Sequence, residues 1–208
     1  MIRLKLTANE VTAIGAILAT TTPFLMASGA YLAFGLMVFI VGFMDGVDGS
    51  IARISRTATN WGGFLDSLLD RYGDSLVIIS YLFLPATAPL GETIVLAIQF
   101  RIWICLSIIG SLMVSYTRAK GEAIGASNVD AGIAARSERL LLLSITAALG
   151  ILNEYILIYG LIAVGILANL TALYRIDRVA HTAKKVEDTR KIARATANRR
   201  QIVKKLHR

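Results

Sequence analysis

Long apolar stretches, repeated along the chain, limit what this sequence can fold into. They cover residues 11–28, 30–44, 64–84, 101–116, 140–152 and 155–174. A helix needs about 20 mostly apolar residues to cross the hydrocarbon of a bilayer, and the second, fourth and fifth stretches reach that length only with their polar flanks. Hydrophobic residues make up 55% of the chain and charged residues 17%, which excludes an ordinary soluble domain, a coiled coil or a disordered chain. The sequence therefore predicts an all-α integral membrane protein with six transmembrane helices.

Lysine and arginine are found in alternate connections between these stretches, which predicts their orientation. Basic residues precede the first stretch, separate the second from the third, and separate the fourth from the fifth. They are Arg3, Lys5, Arg53, Arg56, Arg118, Lys120, Arg136 and Arg139. Because such residues accumulate on the cytoplasmic side, we expect a multi-pass protein of the cell membrane with both termini in the cytoplasm. The alternative is that residues 1–29 are a cleaved signal peptide, which would leave five spans.

The positive charge of the chain is concentrated after the last apolar stretch. The net charge is +8, and residues 181–208 account for all of it, with ten Lys and Arg against Glu187 and Asp188. We predict a six-span domain over residues 1–180 and a basic cytoplasmic tail over residues 181–208. A polybasic segment beside a membrane span binds anionic headgroups, so we expect membrane lipids as its partner and no nucleic acid. The tail is expected to be either a helix on the headgroups or a disordered segment.

Two pairs of aspartates end the second stretch and begin the third. Asp45 and Asp48 are three residues apart, and Asp66 and Asp70 are four apart, so on helices each pair shares one face. Four carboxylates that converge at a membrane boundary repel one another and need a cation. Carboxylates without histidine or cysteine favour hard ions, Mg²⁺ or Mn²⁺. Because acids within membranes also mark cation transporters, a transporter is the alternative from another functional class.

These aspartates are part of a longer pattern that resembles the signature of the CDP-alcohol phosphotransferase family. The signature reads D-x-x-D-G-x-x-A-R, then eight residues, then G-x-x-x-D-x-x-x-D. Its eight fixed positions are occupied by Asp45, Asp48, Gly49, Ala52, Arg53, Gly62, Asp66 and Asp70. The resemblance implies the family's six-span fold, a homodimer, and an active site that faces the cytoplasm. It also implies the reaction: transfer of a phosphatidyl-type group from a CDP-lipid to a small alcohol, with release of CMP.

The same resemblance implies roles for individual residues. The metal ligands of a two-metal centre, with Mg²⁺ or Mn²⁺, would be Asp45, Asp48, Asp66 and Asp70, and Asp70 would also be the catalytic base. The residues that would bind the CDP-lipid are Asn9, Thr12, Asp48, Gly49, Ala52, Arg53 and Thr59. Asp74 is outside the signature, and we expect it either to act in the site or to pair with an arginine such as Arg71 or Arg118.

Basic residues near the ends of the last three stretches predict where the acceptor alcohol binds. They are Arg118, Lys120, Arg136, Arg139, Arg175 and Arg178. Cations and oriented donors hold a phosphate dianion, so we expect a phosphorylated acceptor; the alternative is the general bias of positive charge to the cytoplasmic side. The segment S-Y-T-R-A, residues 115–119, resembles that of family members, above all archaeal ones, that use inositol 1-phosphate. The resemblance thus implies CDP-archaeol or CDP-diacylglycerol as donor and inositol 1-phosphate as acceptor, with glycerol 3-phosphate as the alternative acceptor.

Overall fold

Helices form nearly the whole of the described chain. The computed structural model describes residues 7–55, 59–85, 94–126 and 135–206, with the side chains of residues 8, 47–55, 94–98 and 192–206 left out. The helices are α1 (Ala8–Ala19), α2 (Thr22–Ala27), α3 (Tyr31–Ser55), α4 (Asn60–Ile79), α5 (Ile94–Ala123), α6 (Arg136–Leu149) and α7 (Glu154–Leu206). A 3-10 turn, Ser80–Phe83, continues α4. No strand occurs within these ranges, and the all-α prediction is confirmed.

The first apolar stretch forms two helices, where the sequence predicted one. A reciprocal cap begins α1: the Glu10 amide donates to the Thr7 hydroxyl, and the Thr7 amide donates to the Glu10 carboxylate, 2.7 Å away. Pro23 lies in the first turn of α2, where its missing N–H costs no helical hydrogen bond. The hydroxyls of Thr20, Thr21 and Thr22 each donate to a carbonyl three residues earlier, which satisfies the carbonyls at the break.

Three helical stretches of the described chain are long and apolar enough to cross a bilayer, as judged by length and composition. They are Asn9–Ala27, Gln99–Ala123 and Glu154–Lys191, and Tyr31–Gly46 is a shorter apolar helix. Helix α6 has 14 residues, so at 1.5 Å per residue it is roughly 20 Å long, less than the hydrocarbon thickness of about 30 Å. The number of spans and the side of each terminus therefore stay predictions.

Helices α3 and α6 pack closely enough to fix the site between them. A Cβ atom placed on Gly35 of α3 would lie 2.7 Å from the Ser144 carbonyl oxygen of α6. The Ser144 hydroxyl donates to the Gly35 carbonyl oxygen over 2.8 Å. Small residues allow such close contact between membrane helices. Because α3 carries Asp45 and α6 begins at Arg136, this contact sets the relative position of those two side chains.

Helix α7 extends without a break from the apolar stretch into the basic segment. It runs from Glu154 to Leu206, which at 1.5 Å per residue is roughly 80 Å. Of the two expectations for the tail, the helix is therefore the one that the backbone adopts as far as residue 206. The helix continues through residue 180, and the boundary predicted there stays a prediction.

Candidate active site

Three aspartates from two helices meet at one end of the bundle. Asp45 is on α3, and Asp66 and Asp70 are one turn apart on α4. One carboxylate oxygen from each lies within 4.8 Å of the other two, and all three side chains are partly buried. The spacing of the aspartates thus predicted their convergence. The side chains of Asp48, Gly49, Ala52 and Arg53 lie outside the described residues.

The donor set at this cluster fits a hard divalent cation. Three carboxylates offer oxygen ligands only, which is the chemistry that Mg²⁺ and Mn²⁺ prefer. Their separation is small enough for one ion to be bound by all three. Asp45, Asp66 and Asp70 are therefore the described residues that would hold a metal ion.

Arg136, at the start of α6, contacts the same cluster. Its Nη1 atom lies 2.7 Å from Asp45 Oδ1 and 2.9 Å from Asp70 Oδ1, and its Nε lies 2.9 Å from Asp74 Oδ1. Arg136 precedes the apolar run 140–152. Burial opposes its charge, but the carboxylates of Asp74, Asp70 and Asp45 outweigh burial and raise the pKa of Arg136 above its usual value. One guanidinium thus partly neutralises three carboxylates.

Asp74 pairs with arginines that the sequence did not suggest. Its partners are Arg136 and, at 3.8 Å, Nη2 of Arg139, whereas the sequence pointed to Arg71 or Arg118. Arg71 instead donates to the backbone carbonyl of Ser67. Arg118 donates to Glu122, four residues later, over 2.9 Å. The expected ion pair of Asp74 exists, but its partners come from a helix far along the chain.

A cavity of about 550 Å³ opens beside the aspartates. Its lining combines aspartates of α3 and α4 with arginines of α4, α5, α6 and α7. Of the six cations predicted to bind the acceptor, those in the lining are Arg118, Arg136, Arg139 and Arg175. Arg139 is 4% exposed and Arg175 is 5% exposed, so both charges are held inside the protein.

The two remaining cations of the prediction lie outside the lining of the cavity as it is described. Lys120 is exposed in the last turn of α5. Arg178, one turn beyond Arg175, is also exposed and donates to the Tyr174 hydroxyl over 2.7 Å. The structure therefore divides the predicted set into four residues at the cavity and two away from it.

Some residues of the cavity were missed by sequence reasoning. They are Ser67, Arg71, Ser115, Ala119, Glu122 and Ala135. On α5 the lining positions 115, 118, 119 and 122 have the three- and four-residue spacing of a single helix face. This helical spacing is the sequence signal from which the lining residues of α5 could have been predicted.

Three of the residues predicted to bind the CDP-lipid have described side chains: Asn9, Thr12 and Thr59. Thr59 is the N-cap of α4, and its hydroxyl accepts a hydrogen bond from the Gly62 amide over 3.0 Å. A Cβ atom on Gly62 would lie 2.9 Å from Asn9 Oδ1 and 3.1 Å from Thr59 Oγ1. Thr12, which is 8% exposed, lines a small cavity of about 20 Å³ together with Asp45 and Asp70. The structure thus brings Asn9 and Thr59 together at Gly62 and places Thr12 beside the acidic cluster.

Comparison with known proteins identifies relatives over most of the chain. The family model for CDP-alcohol phosphatidyltransferase matches residues 5–174. The archaetidylinositol phosphate synthase of Pyrococcus horikoshii is 28% identical over 184 residues, which cover 88% of this chain and 87% of the relative. The phosphatidylinositol phosphate synthase of Cutibacterium acnes is 32% identical over 145 residues, which cover 68% of this chain and 65% of the relative.

Solved structures show the same fold. The crystal structure of Mycobacterium tuberculosis phosphatidylinositol phosphate synthase with CDP-DAG bound superimposes with a TM-score of 0.72, at 24% identity over 86% of this chain and 88% of that one. The same enzyme in complex with manganese and citrate gives a TM-score of 0.71, at 23% identity over 86% of this chain and 84% of that one. The family match favours a transferase over the cation transporter. This chain belongs to the CDP-alcohol phosphatidyltransferase family of metal-dependent enzymes of phospholipid synthesis.

Proposed function

We propose that this protein transfers the phosphatidyl-type group of a CDP-lipid to inositol 1-phosphate and releases CMP. The observation that carries the proposal is the cavity, whose lining contains the aspartates of the acidic cluster together with arginines, of which Arg139 and Arg175 are almost fully buried. The carboxylates suit a divalent ion and a proton acceptor, and the arginines suit a phosphate. The names of two relatives, archaetidylinositol phosphate synthase and phosphatidylinositol phosphate synthase, support this choice of acceptor.

The chemistry requires a base for the acceptor hydroxyl, because an alcohol is a poor nucleophile at neutral pH. Asp70 is the proposed base: it lines the cavity and is within the acidic cluster. Its carboxylate accepts the hydroxyl proton while the hydroxyl oxygen bonds to the β-phosphorus of the CDP-lipid. The bond from that phosphorus to the bridging oxygen breaks, and CMP leaves with the electron pair. Asp45, Asp66 and Asp70, together with Asp48, would hold the two divalent ions that the family resemblance implies, and these would supply charge stabilisation at the diphosphate.

The arginines of the cavity are proposed to bind the acceptor phosphate. Arg139 and Arg175 are almost fully buried, and buried guanidinium groups form strong hydrogen bonds to phosphate. Arg118 lies at a more exposed part of the lining, with half of its side chain accessible. A cavity of about 550 Å³ is within the size range of small-molecule sites. An acceptor without a phosphate would offer these guanidinium groups no negative charge to bind.

The remaining features of the proposal are taken from the resemblance to the family. The active site faces the cytoplasm, both termini are cytoplasmic, and the enzyme works as a homodimer with six spans. The donor is CDP-archaeol or CDP-diacylglycerol; the structure of the Mycobacterium tuberculosis enzyme with CDP-DAG supports a CDP-lipid at this fold. Mn²⁺ in another structure of that enzyme supports Mg²⁺ or Mn²⁺ as the cofactor.

An acceptor screen tests the proposal directly. Purified protein in proteoliposomes is given labelled CDP-archaeol or CDP-diacylglycerol with Mg²⁺, and CMP release is measured with inositol 1-phosphate, glycerol 3-phosphate, serine or free inositol. We expect turnover with inositol 1-phosphate and little with the two acceptors that lack a phosphate. Preference for glycerol 3-phosphate would replace the proposed acceptor within the same reaction. Preference for serine or free inositol would contradict the role given to the arginines.

A methyl group at Gly62 is expected to weaken binding of the CDP-lipid. In Gly62→Ala the new Cβ would press on Asn9 Oδ1 and Thr59 Oγ1, and because the Asn9 side chain is flexible it would move away. Loss of one neutral hydrogen bond to the substrate would raise the KM for CDP-lipid by roughly 2- to 10-fold. The measurement is the KM for CDP-lipid at saturating acceptor, with the melting temperature of each variant.

Gly63 provides the matched control for this substitution. A Cβ atom at Gly63 would have no heavy atom within 4 Å. Gly63→Ala raises the helix propensity by the same amount as Gly62→Ala, one residue further along α4. We expect Gly63→Ala to keep the KM of the parent protein. Equal KM values in the two variants would argue against Asn9 and Thr59 as CDP-lipid contacts.

A further inference from the structure

We propose that Asp74 is a positioning residue that holds Arg136 between the acidic cluster and the acceptor cavity. Asp74 is outside the family signature, yet it is within one turn of Asp70 on α4 and its side chain is only 13% exposed. The inference rests on the proposed function, because it assigns Arg136 to the acceptor cavity and Asp45 and Asp70 to the metal site and the base.

The guanidinium of Arg136 contacts Asp74 through one nitrogen and the acidic cluster through another. Nε is held by Asp74 Oδ1 at 2.9 Å, while Nη1 reaches Asp45 at 2.7 Å and Asp70 at 2.9 Å. The other carboxylate oxygen of Asp74 faces Arg139 Nη2 at 3.8 Å. Asp74 thus contacts two arginines that are one turn apart on α6. These ion pairs connect α4 to α6 at the cavity, which all of these side chains line.

Removal of Asp74 would change the partners of Arg136. Among the described residues, Asp45 and Asp70 would then be the carboxylates that remain within ion-pair distance of its guanidinium. Arginine and carboxylate groups favour paired, two-fold contact, so the guanidinium would turn toward these two residues. It would move away from the cavity, and its existing contact with Asp45 and Asp70 would become stronger and compete more with a divalent ion. Asp74 therefore limits the contact of Arg136 with the metal ligands to Nη1 and keeps the rest of the guanidinium at the cavity.

A double-mutant cycle tests this role. The variants are Asp74→Asn, Arg136→Gln and their combination, with Asp74→Glu as the conservative replacement. Asp177→Asn is the charge-matched control, because Asp177 is exposed on α7 and contacts only His181 among the ion pairs of the described chain. Two readouts are measured for each full-length protein: the KM for inositol 1-phosphate, and the Kd for Mn²⁺ without substrate, by electron paramagnetic resonance. The melting temperature is recorded for every variant.

The expected result is coupling between positions 74 and 136. Asp74→Asn raises both the KM for inositol 1-phosphate and the Kd for Mn²⁺ by about 10-fold, and both effects shrink to less than about 2-fold when Arg136 is already glutamine. Asp74→Glu restores most of both values, and Asp177→Asn changes neither. If Asp74→Asn does not fold, Arg136→Lys examines the same contact, since one ammonium cannot reach Asp74 and the cluster together; it should raise the KM as well.

Three outcomes would overturn the inference. A lower KM in Asp74→Asn would mean that Asp74 only reduces the positive charge of the cavity. Equal effects in the native and Arg136→Gln backgrounds would mean that Asp74 does not act through Arg136. An unchanged KM in both Asp74→Asn and Arg136→Lys would also contradict it. If inositol 1-phosphate is not the acceptor, the proposed function fails in the acceptor screen, whereas the Mn²⁺ cycle still decides the role of Asp74.

Discussion

Replacement of Asp70 by asparagine is expected to lower the rate of CMP release by about 10²- to 10⁴-fold, the contribution of a positioned general base. Asparagine keeps the size and shape of the side chain but accepts no proton from the acceptor hydroxyl. Two other carboxylates of the cluster, Asp45 and Asp66, remain in place. Binding of the CDP-lipid should therefore be largely retained. The measurements are initial rates of CMP release and equilibrium binding of labelled CDP-lipid, both with Mg²⁺.

Asp45→Asn is the comparison that separates a base from a metal ligand. Asp45 belongs to the cluster that would hold the ion, so its substitution should weaken both Mn²⁺ binding and metal-dependent binding of the CDP-lipid. Asp70→Asn should affect the rate far more than binding. If the two variants lost binding and rate to the same extent, the distinct role of Asp70 as base would be wrong.

Substitution of Arg139 is expected to produce the largest effect on the acceptor. Arg139 lines the cavity and is 4% exposed, so its hydrogen bond to an acceptor phosphate would be shielded from water. Such a bond to a charged group contributes about 1.5–3 kcal/mol, and its loss in Arg139→Gln corresponds to a KM for inositol 1-phosphate raised by roughly 10- to 150-fold. The rate with saturating acceptor should change much less. Arg139→Lys keeps the charge, so its KM for inositol 1-phosphate should lie between that of the parent protein and that of Arg139→Gln.

Arg178 is the matched control for Arg139. Both residues were predicted to bind the acceptor phosphate, but Arg178 is exposed and donates a hydrogen bond to Tyr174, one turn beyond the cavity. Arg178→Gln should leave the KM for inositol 1-phosphate within about 2-fold, since an exposed charge is screened by solvent. Melting temperatures of all three variants check that the fold is retained. A larger KM change in Arg178→Gln than in Arg139→Gln would place the acceptor elsewhere.

Local spacing in the sequence predicted the acidic cluster well. Asp66 and Asp70 are four residues apart on one helix, and such a spacing fixes a shared face whatever the tertiary structure. Asp45 lies on α3, and the short connection between Ser55 of α3 and Asn60 of α4 favours its approach to them. The all-helical fold could also be predicted from the sequence, because it follows from the length of the apolar stretches and from the need to satisfy backbone hydrogen bonds in a membrane.

Features that depend on contacts between distant segments could not be predicted from local patterns in the sequence. The partner of Asp74 is Arg136, 62 residues away, and no local pattern links the two. Arg175 and Arg178 are three residues apart on α7, yet only the first lines the cavity, because the packing of α7 against α5 determines which turn faces inward. The break between α1 and α2 did have a local signal, Pro23 after three threonines. A prediction based only on the length of the apolar stretch does not detect it.

The sharing of one guanidinium by Asp45, Asp70 and Asp74 has a consequence for the evolution of the family. By this inference Asp74 keeps Arg136 at the cavity, and without Arg136 the partly buried Asp74 would retain only the longer 3.8 Å contact with Arg139 among the ion pairs of the described chain. Natural selection should therefore act on the two positions jointly. Among homologous sequences, a neutral amino acid at position 74 should be accompanied by loss of the arginine at position 136, a covariation detectable in any large alignment.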